Sequence, residues 1–340
     1  MFSFTEVIEY YCQPYYPLSQ FMASLYVIPL LCLFLVFYLA GFEMQYKSGG
    51  ASEYLPDKHL TLIEFLTQHK TKTKEYRRPP VEYGSYQHFI KGTLEGNSAS
   101  FVYEYPLIQK IRGRSHIVME PLETSRQADT FGMSRSVVEV SPDGFRIAPN
   151  VTSAQIQLHF NSNGWFYEDE NNFGVAYHQL IHQYDSLTGK IAADLKEQLS
   201  AHSKDNYFNR VQAALNFIQF IPYGQPNFDS EEWYYYGLSL PPESFVLGYA
   251  DCDSKSLFFA SILSHLIPKE NIVIVRCMVK SSHSRSNGAH AMAAVSDLQI
   301  SGESILHNGK SYLLLETTAP SAIGSFDWVS FQLTEIRPLV

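Results

Sequence analysis

Charge and cysteine are both scarce in this chain. Asp, Glu, Lys and Arg make up only 17% of its 340 residues, the basic ones are scattered, and the net charge is −9. A protein that grips a phosphate backbone needs clustered Lys and Arg, so nucleic acid is not expected as a partner. The four cysteines, Cys12, Cys32, Cys252 and Cys277, are too few and too dispersed for a disulfide framework, and none forms a C-x-x-C pair. P-loops, dinucleotide fingerprints and metal-ligand clusters are missing too, so neither cofactor nor metal is expected. Asp251, Asp253 and the run Glu168-Asp169-Glu170 offer oxygen ligands to calcium, but solvated charge accounts for them more simply. There is no internal repeat.

What the chain has in quantity is apolar and aromatic surface. Hydrophobic residues make up 45%, with 23 Tyr and 23 Phe, which is ample for a packed core and argues against global disorder. Residues 21–42 carry no charged side chain, and about 20 such residues span a bilayer as a helix. Tyr15, Tyr16 and Tyr26 on one side and Tyr38 and Tyr46 on the other suit interfacial positions. A cleaved signal peptide would want a basic start, whereas residues 1–20 hold Glu6 and Glu9 and no Lys or Arg. Residues 21–42 are therefore expected to be a retained transmembrane helix in contact with lipid, behind a tail of residues 1–20. Lys47 and Lys58 weakly favour a cytoplasmic body, and the side is left open.

Beyond the span, residues 43–83 read as a juxtamembrane linker with a short helix, ending near Pro79-Pro80. Residues 84–160 read as β-rich. Turn clusters at Glu95-Gly96-Asn97-Ser98 and Pro142-Asp143-Gly144 sit between alternating runs, and residues 155–160 alternate as a further strand. Residues 176–203 and 206–220 keep one apolar face at helical spacing. Pro241-Pro242-Glu243 precedes a third helical pattern, which Asp251-Cys252-Asp253 opens and Leu257, Phe258, Ala260, Leu263 and Leu266 continue. Strands are expected at 272–279, 289–295 and 311–315. A glycine-containing loop (Ser301-Gly302-Glu303, Asn308-Gly309) joins the last two. Helices followed by antiparallel strands give an α+β fold.

In that layout Cys252 heads a helix, whose partial positive end lowers a thiol pKa. His290 follows on a strand, and Glu316 ends the next in Leu313-Leu314-Leu315-Glu316-Thr317-Thr318. A thiol nucleophile needs a base, and the base needs an orienting group. Each residue also has a plainer reading: Cys252 as helix core, His290 as a satisfied core histidine, Glu316 as a surface charge. His283, in a Ser-rich loop, is a rival base. Cys277, in a run of Ile and Val, reads as a small core hydrophobe.

These residues resemble the transglutaminase-like (papain-like thiol) superfamily, in particular its bacterial membrane-anchored members. Ala250-Asp251-Cys252-Asp253-Ser254-Lys255-Ser256 resembles the family's G-D-C-(E/D)-x-x-S signature. Leu240-Pro241-Pro242-Glu243-Ser244-Phe245 resembles its P-x-E-T-L element, and Phe217-Ile218-Gln219-Phe220-Ile221-Pro222-Tyr223 its helix-plus-tyrosine segment. His290-Ala291 resembles the histidine strand, and Glu316-Thr317-Thr318 the D-x-T after the last triad strand. Ala250 stands where glycine is usual, and Glu316 where aspartate is usual.

The resemblance implies a transglutaminase-like domain over residues 176–340, with the Cys helix packed on an antiparallel sheet. It implies a triad of Cys252, His290 and Glu316 performing acyl transfer on protein or peptide amides near a membrane, the bacterial inner membrane being the expected one. The Cys252 N–H would meet the oxyanion, with Gln219 or Gln225 as the second donor and Asp251 and Asp253 in support. A cysteine peptidase or amidase is the expected activity. A protein-crosslinking transglutaminase and an inactive scaffold are the alternatives.

Overall fold

A computed structural model describes residues 76–77, 82–83, 86–87, 90–95, 98–119, 131–141, 144–169, 172–224, 233–234, 237–281, 288–326 and 328–340. All belong to one unit, Tyr54–Val340. The expected span at 21–42 lies outside these residues, as do the short helix of the linker, Gln225 and His283. Among the described residues no helix is long and apolar enough to cross a membrane.

The chain is a mixture of helix and antiparallel sheet. Short strands β1 (Tyr76–Arg77), β2 (Glu82–Tyr83) and β3 (Tyr86–Gln87) lead into β4 (Ile90–Glu95), β5 (Ser98–Ile108) and β6 (Ile111–Met119). β1, β4, β5 and β6 form a four-stranded sheet in that order. β7 (Met133–Ser134) and the hairpin β8 (Val138–Ser141) and β9 (Gly144–Ile147) follow.

The next element corrects the sequence reading. Residues 155–160 alternate like a strand, yet they lie inside helix α1 (Ser153–Ser162). A reciprocal cap decides it. The Thr152 hydroxyl accepts from the Gln155 N–H, and the Gln155 side chain accepts from the Thr152 N–H at 2.9 Å. Ile156 and Phe160, one turn apart, face the core, while Leu158 between them is 72% exposed.

A second hairpin, β10 (Trp165–Asp169) and β11 (Asn172–Val175), leads into the helices. The expected long helix is two, α2 (Tyr177–Gln183) and α3 (Asp185–Ala201), broken at Tyr184. α4 (Tyr207–Gln219) is capped by Asn206, whose side chain accepts from the Asn209 N–H at 2.9 Å. After β12 (Trp233–Tyr234), α5 (Pro241–Leu247) ends on Gly248, whose φ of 70° is the left-handed conformation that glycine adopts without strain. α6 (Cys252–Leu263) follows at once.

α6 is the centre of the molecule. Residues 254–263 are all buried. It packs on β13 (Ile272–Ser281) and β14 (Gly288–Val295) and against α2, α3 and α4. Phe217, Phe245 and Phe258 meet edge to face, Phe245 and Phe258 at 5.4 Å, and Tyr103 of β5 joins Phe217 at 4.9 Å. Such pairs contribute about 0.5–1.5 kcal/mol each beyond the burial of their area. The β4–β6 sheet and the helical body therefore share one core.

The main sheet runs β15-β16-β14-β13-β17, all antiparallel. Two of its strands were not foreseen. β15 (Ser304–His307) lies within the expected loop and turns into β16 (Lys310–Leu315) through Asn308 and Gly309, both at positive φ. β17 (Trp328–Pro338) zips along β13. β14 pairs with β13 over its whole length but with β16 only at Ala293, Ala294 and Val295, so residues 288–292 run beyond β16.

Candidate functional site

Asp251 starts α6. Its carboxylate accepts from the Ser254 N–H at 3.0 Å and the Ser254 hydroxyl at 2.5 Å, the bonds of a helix cap. That hydroxyl also accepts from the Ser239 N–H at 2.8 Å, which ties in the segment before α5. On the other side, the Ala250 and Gly224 N–H groups bond to the Pro222 and Ala250 carbonyls. A Cβ on Gly224 would lie 2.6 Å from the Tyr249 ring, so only glycine permits this approach. Alanine at 250 is accommodated: it is fully buried with both backbone groups bonded.

Cys252 thus takes the first helical position and keeps partial exposure although protein crowds it. Its sulfur receives the backbone N–H groups of Ala291 and Asp253. Ala291 sits where β14 has run past β16, next to His290. Asp253 accepts from the Tyr177 hydroxyl at 2.9 Å and lies 3.8 Å from Arg276.

His290 and Glu316 meet. His290 Nε2 lies 3.1 Å from Glu316 Oε2, with both side chains almost wholly covered. The other carboxylate oxygen accepts from the Thr318 N–H at 2.8 Å and hydroxyl at 2.5 Å. With glutamate at this position the carboxylate reaches both His290 and Thr318. With the Nε2 hydrogen directed at Glu316, Nδ1 is the nitrogen that would take a proton.

Gln219 supports this carboxylate segment. Its amide donates to the Glu316 carbonyl at 2.7 Å and the Ser321 carbonyl at 3.1 Å, so both N–H groups are engaged and neither is an oxyanion donor as placed. Sequence reasoning missed Thr318 as the Glu316 partner and Lys255 as a buried cation beside it. Thr318 had a signal, the D-x-T-like run. Lys255 had none, because lysine after Asp-Ser reads as solvated.

A cleft of about 370 Å³ borders the imidazole, lined among others by Ala289, Asp253, Arg276, Glu335 and Arg337. A smaller hollow of about 130 Å³ between β6 and α3 carries none of these residues. Among the described residues no cluster of His, Cys, Asp and Glu is arranged to hold a metal ion. Asp251 and Asp253 serve instead as helix cap and tyrosine acceptor.

No family model, curated protein or solved structure matches this chain. What the site can do rests on its own chemistry.

Burial raises the Cys252 thiol pKa well above its usual value, and the Asp253 and Asp251 carboxylates add to the rise; the two N–H groups on sulfur oppose it. Burial pulls the His290 imidazolium down, but Glu316, with Asp253 and Asp251 beyond it, outweighs burial and leaves the pKa raised. For Glu316, burial pushes up, while His290 and the Thr318 bonds prevail and leave it lowered. Asp251 is pushed up to about 7 by burial and the neighbouring Asp253 charge. The site therefore combines a thiol whose ionisation is opposed by burial with an imidazolium stabilised by Glu316.

Proposed function

We propose that the protein is a membrane-anchored thiol acyl-transfer enzyme of transglutaminase-like architecture, acting as a cysteine peptidase or amidase on protein or peptide amides near the bilayer. One observation carries it. His290 is bonded to Glu316 at 3.1 Å while the Cys252 sulfur rests on the N–H of the very next residue, Ala291, so three distant segments converge. The membrane anchor rests on residues 21–42 and their sequence alone.

In the reaction, Nδ1 of His290 takes the Cys252 proton as sulfur bonds to the amide carbon and an electron pair moves onto the carbonyl oxygen. That pair returns, the C–N bond breaks, and the imidazolium protonates the leaving amine. Water, or an amine in a crosslinking enzyme, then attacks the thioester and passes its proton through His290 back to sulfur. Glu316 holds the tautomer and steadies the imidazolium. The Cys252 N–H at the helix start is one oxyanion donor. The step asks Nδ1 to come within hydrogen-bond reach of sulfur, a contact that often tightens only with substrate bound.

The raised thiol pKa favours a second reading, a catalytically silent binding module. Detergent-solubilised full chain, incubated with membrane proteins, separates the readings. New protein N-termini that vanish in Cys252→Ala and after iodoacetamide support hydrolysis. Incorporation of a labelled amine points to crosslinking. Neither product, with the fold intact, would falsify the enzyme.

A further inference from the structure

Lys255 is fully buried, one turn into the helix that Cys252 opens. A buried ammonium is costly unless its hydrogens are bonded and a counter-charge lies near. Its Nζ donates to the Thr318 carbonyl at 2.9 Å and approaches the Gln219 carbonyl at 3.4 Å. Both acceptors belong to residues that already hold Glu316, Thr318 through its carboxylate and Gln219 through its carbonyl. The neighbouring Ser256 hydroxyl lies 3.1 Å from the Thr317 hydroxyl. Two consecutive residues of α6 thus grip two consecutive residues after Glu316.

We propose that Lys255 is a positioning residue for the catalytic carboxylate: by tying the Thr318 and Gln219 carbonyls to the helix that bears the nucleophile, it fixes where Glu316 presents its oxygen to His290. The proposal rests on the triad reading but is tested without turnover. It joins acid and nucleophile through one rigid element, so that the first turns of α6 carry the thiol and set the carboxylate. The groups that face the ammonium are the Glu316 carboxylate after β16 and the Asp251 carboxylate at the helix cap. Burial lowers the Lys255 pKa to about 7 against the pull of both. Removing the ammonium alone would leave the Thr318 carbonyl without its donor and the buried Glu316 carboxylate without its counter-charge, so the cation ties both to the helix.

The test is the His290 imidazole titration, followed by NMR in the detergent-solubilised full chain with thermal unfolding recorded alongside. Because Glu316 holds the His290 midpoint up, displacing the carboxylate lowers it. Lys255→Met is expected to bring the midpoint down toward that of Glu316→Gln. Lys255→Arg, which keeps a cation, should restore most of the difference. The double variant Lys255→Met/Glu316→Gln should show no further fall in the midpoint below Glu316→Gln alone, because no carboxylate remains to be displaced. Loss of the cation without movement of Glu316 gives the opposite sign, a His290 midpoint above the wild type, and that result overturns the proposal. A lowered melting temperature with an unmoved midpoint overturns it equally. Should Lys255→Met fail to fold, Lys255→Leu takes its place and is judged by the same two signs of the His290 midpoint. A Cys252→Ala variant that abolishes turnover bears on the triad reading and leaves this titration unaffected, so the two can fail separately.

Discussion

Two thiols lie near strand β14; burial raises the pKa of both, and their surroundings differ in the groups on sulfur and in access. Cys252 stands at the start of α6, partly exposed, with backbone N–H groups from Asp253 and Ala291 on its sulfur. Cys277 stands in the middle of β13, directly opposite His290, only 2% exposed, and its sulfur lies 3.5 Å from the His290 carbonyl. N–H donors stabilise a thiolate, and a carbonyl does not. Burial, with the Glu316 charge behind it, pushes Cys277 up to about 12. What separates the two is the polarity of the groups on sulfur and access to them.

That contrast can be broken most sharply by deletion. Cys252→Ala is expected to remove turnover by at least about a thousandfold. Cys277→Ala should cost about 1 kcal/mol of stability and reduce turnover far less. If Cys277→Ala were the silent enzyme and Cys252→Ala the active one, the assignment of the nucleophile would be reversed. The orienting group comes next. Glu316→Gln keeps shape and removes charge, and is expected to cost about 10²–10⁴ in kcat/KM with the melting temperature little changed.

Chemical labelling sharpens the comparison. Under native conditions iodoacetamide should modify Cys252 and spare Cys277, as peptide mass mapping would show. Because the Cys252 pKa is raised, its labelling rate should climb through the alkaline range and show no plateau at neutral pH. A neutral plateau would mean a preformed thiolate–imidazolium pair. Asp251→Asn keeps the cap acceptor for the Ser254 N–H and removes one carboxylate near the sulfur. Labelling at fixed pH should then quicken by about two- to tenfold.

The smallest effect is on stability. His290 is raised above 6.5, so its share is present below that pH and lost as pH rises through the folded value. Glu316 is lowered below 4.5, so its share is present above that pH and lost as pH falls through the folded value. Wild type minus Glu316→Gln in urea unfolding should be largest between those limits and shrink on both sides.

Much of this was legible beforehand, for identifiable reasons. The Cys helix announced itself by an aspartate cap before an apolar run, and the hairpin at residues 138–147 by Pro-Asp-Gly. Gln-Ile-Gln-Leu-His-Phe misled, because alternation and a one-turn repeat both place Ile156 and Phe160 on one face, and only the Thr152–Gln155 cap distinguishes them. β15 hid because it is four residues long beside Gly302, although Asn308-Gly309 marks its hairpin. The His290–Glu316 meeting was expected from their order, but the roles of Gln219 and Lys255 were not. A side chain that bonds a backbone carbonyl 63 or 97 residues away leaves no local pattern.

β14 leaves β16 after Ala293, on the way to Gly288. Continued pairing toward Gly288 would add ladder bonds and a firmer sheet, and it would claim the Ala291 N–H that now rests on sulfur. Fold and chemistry compete there for the same donor. Sequence changes that heal the fork should yield a sturdier protein with a blunted thiol, and any selection for robustness alone would drift that way.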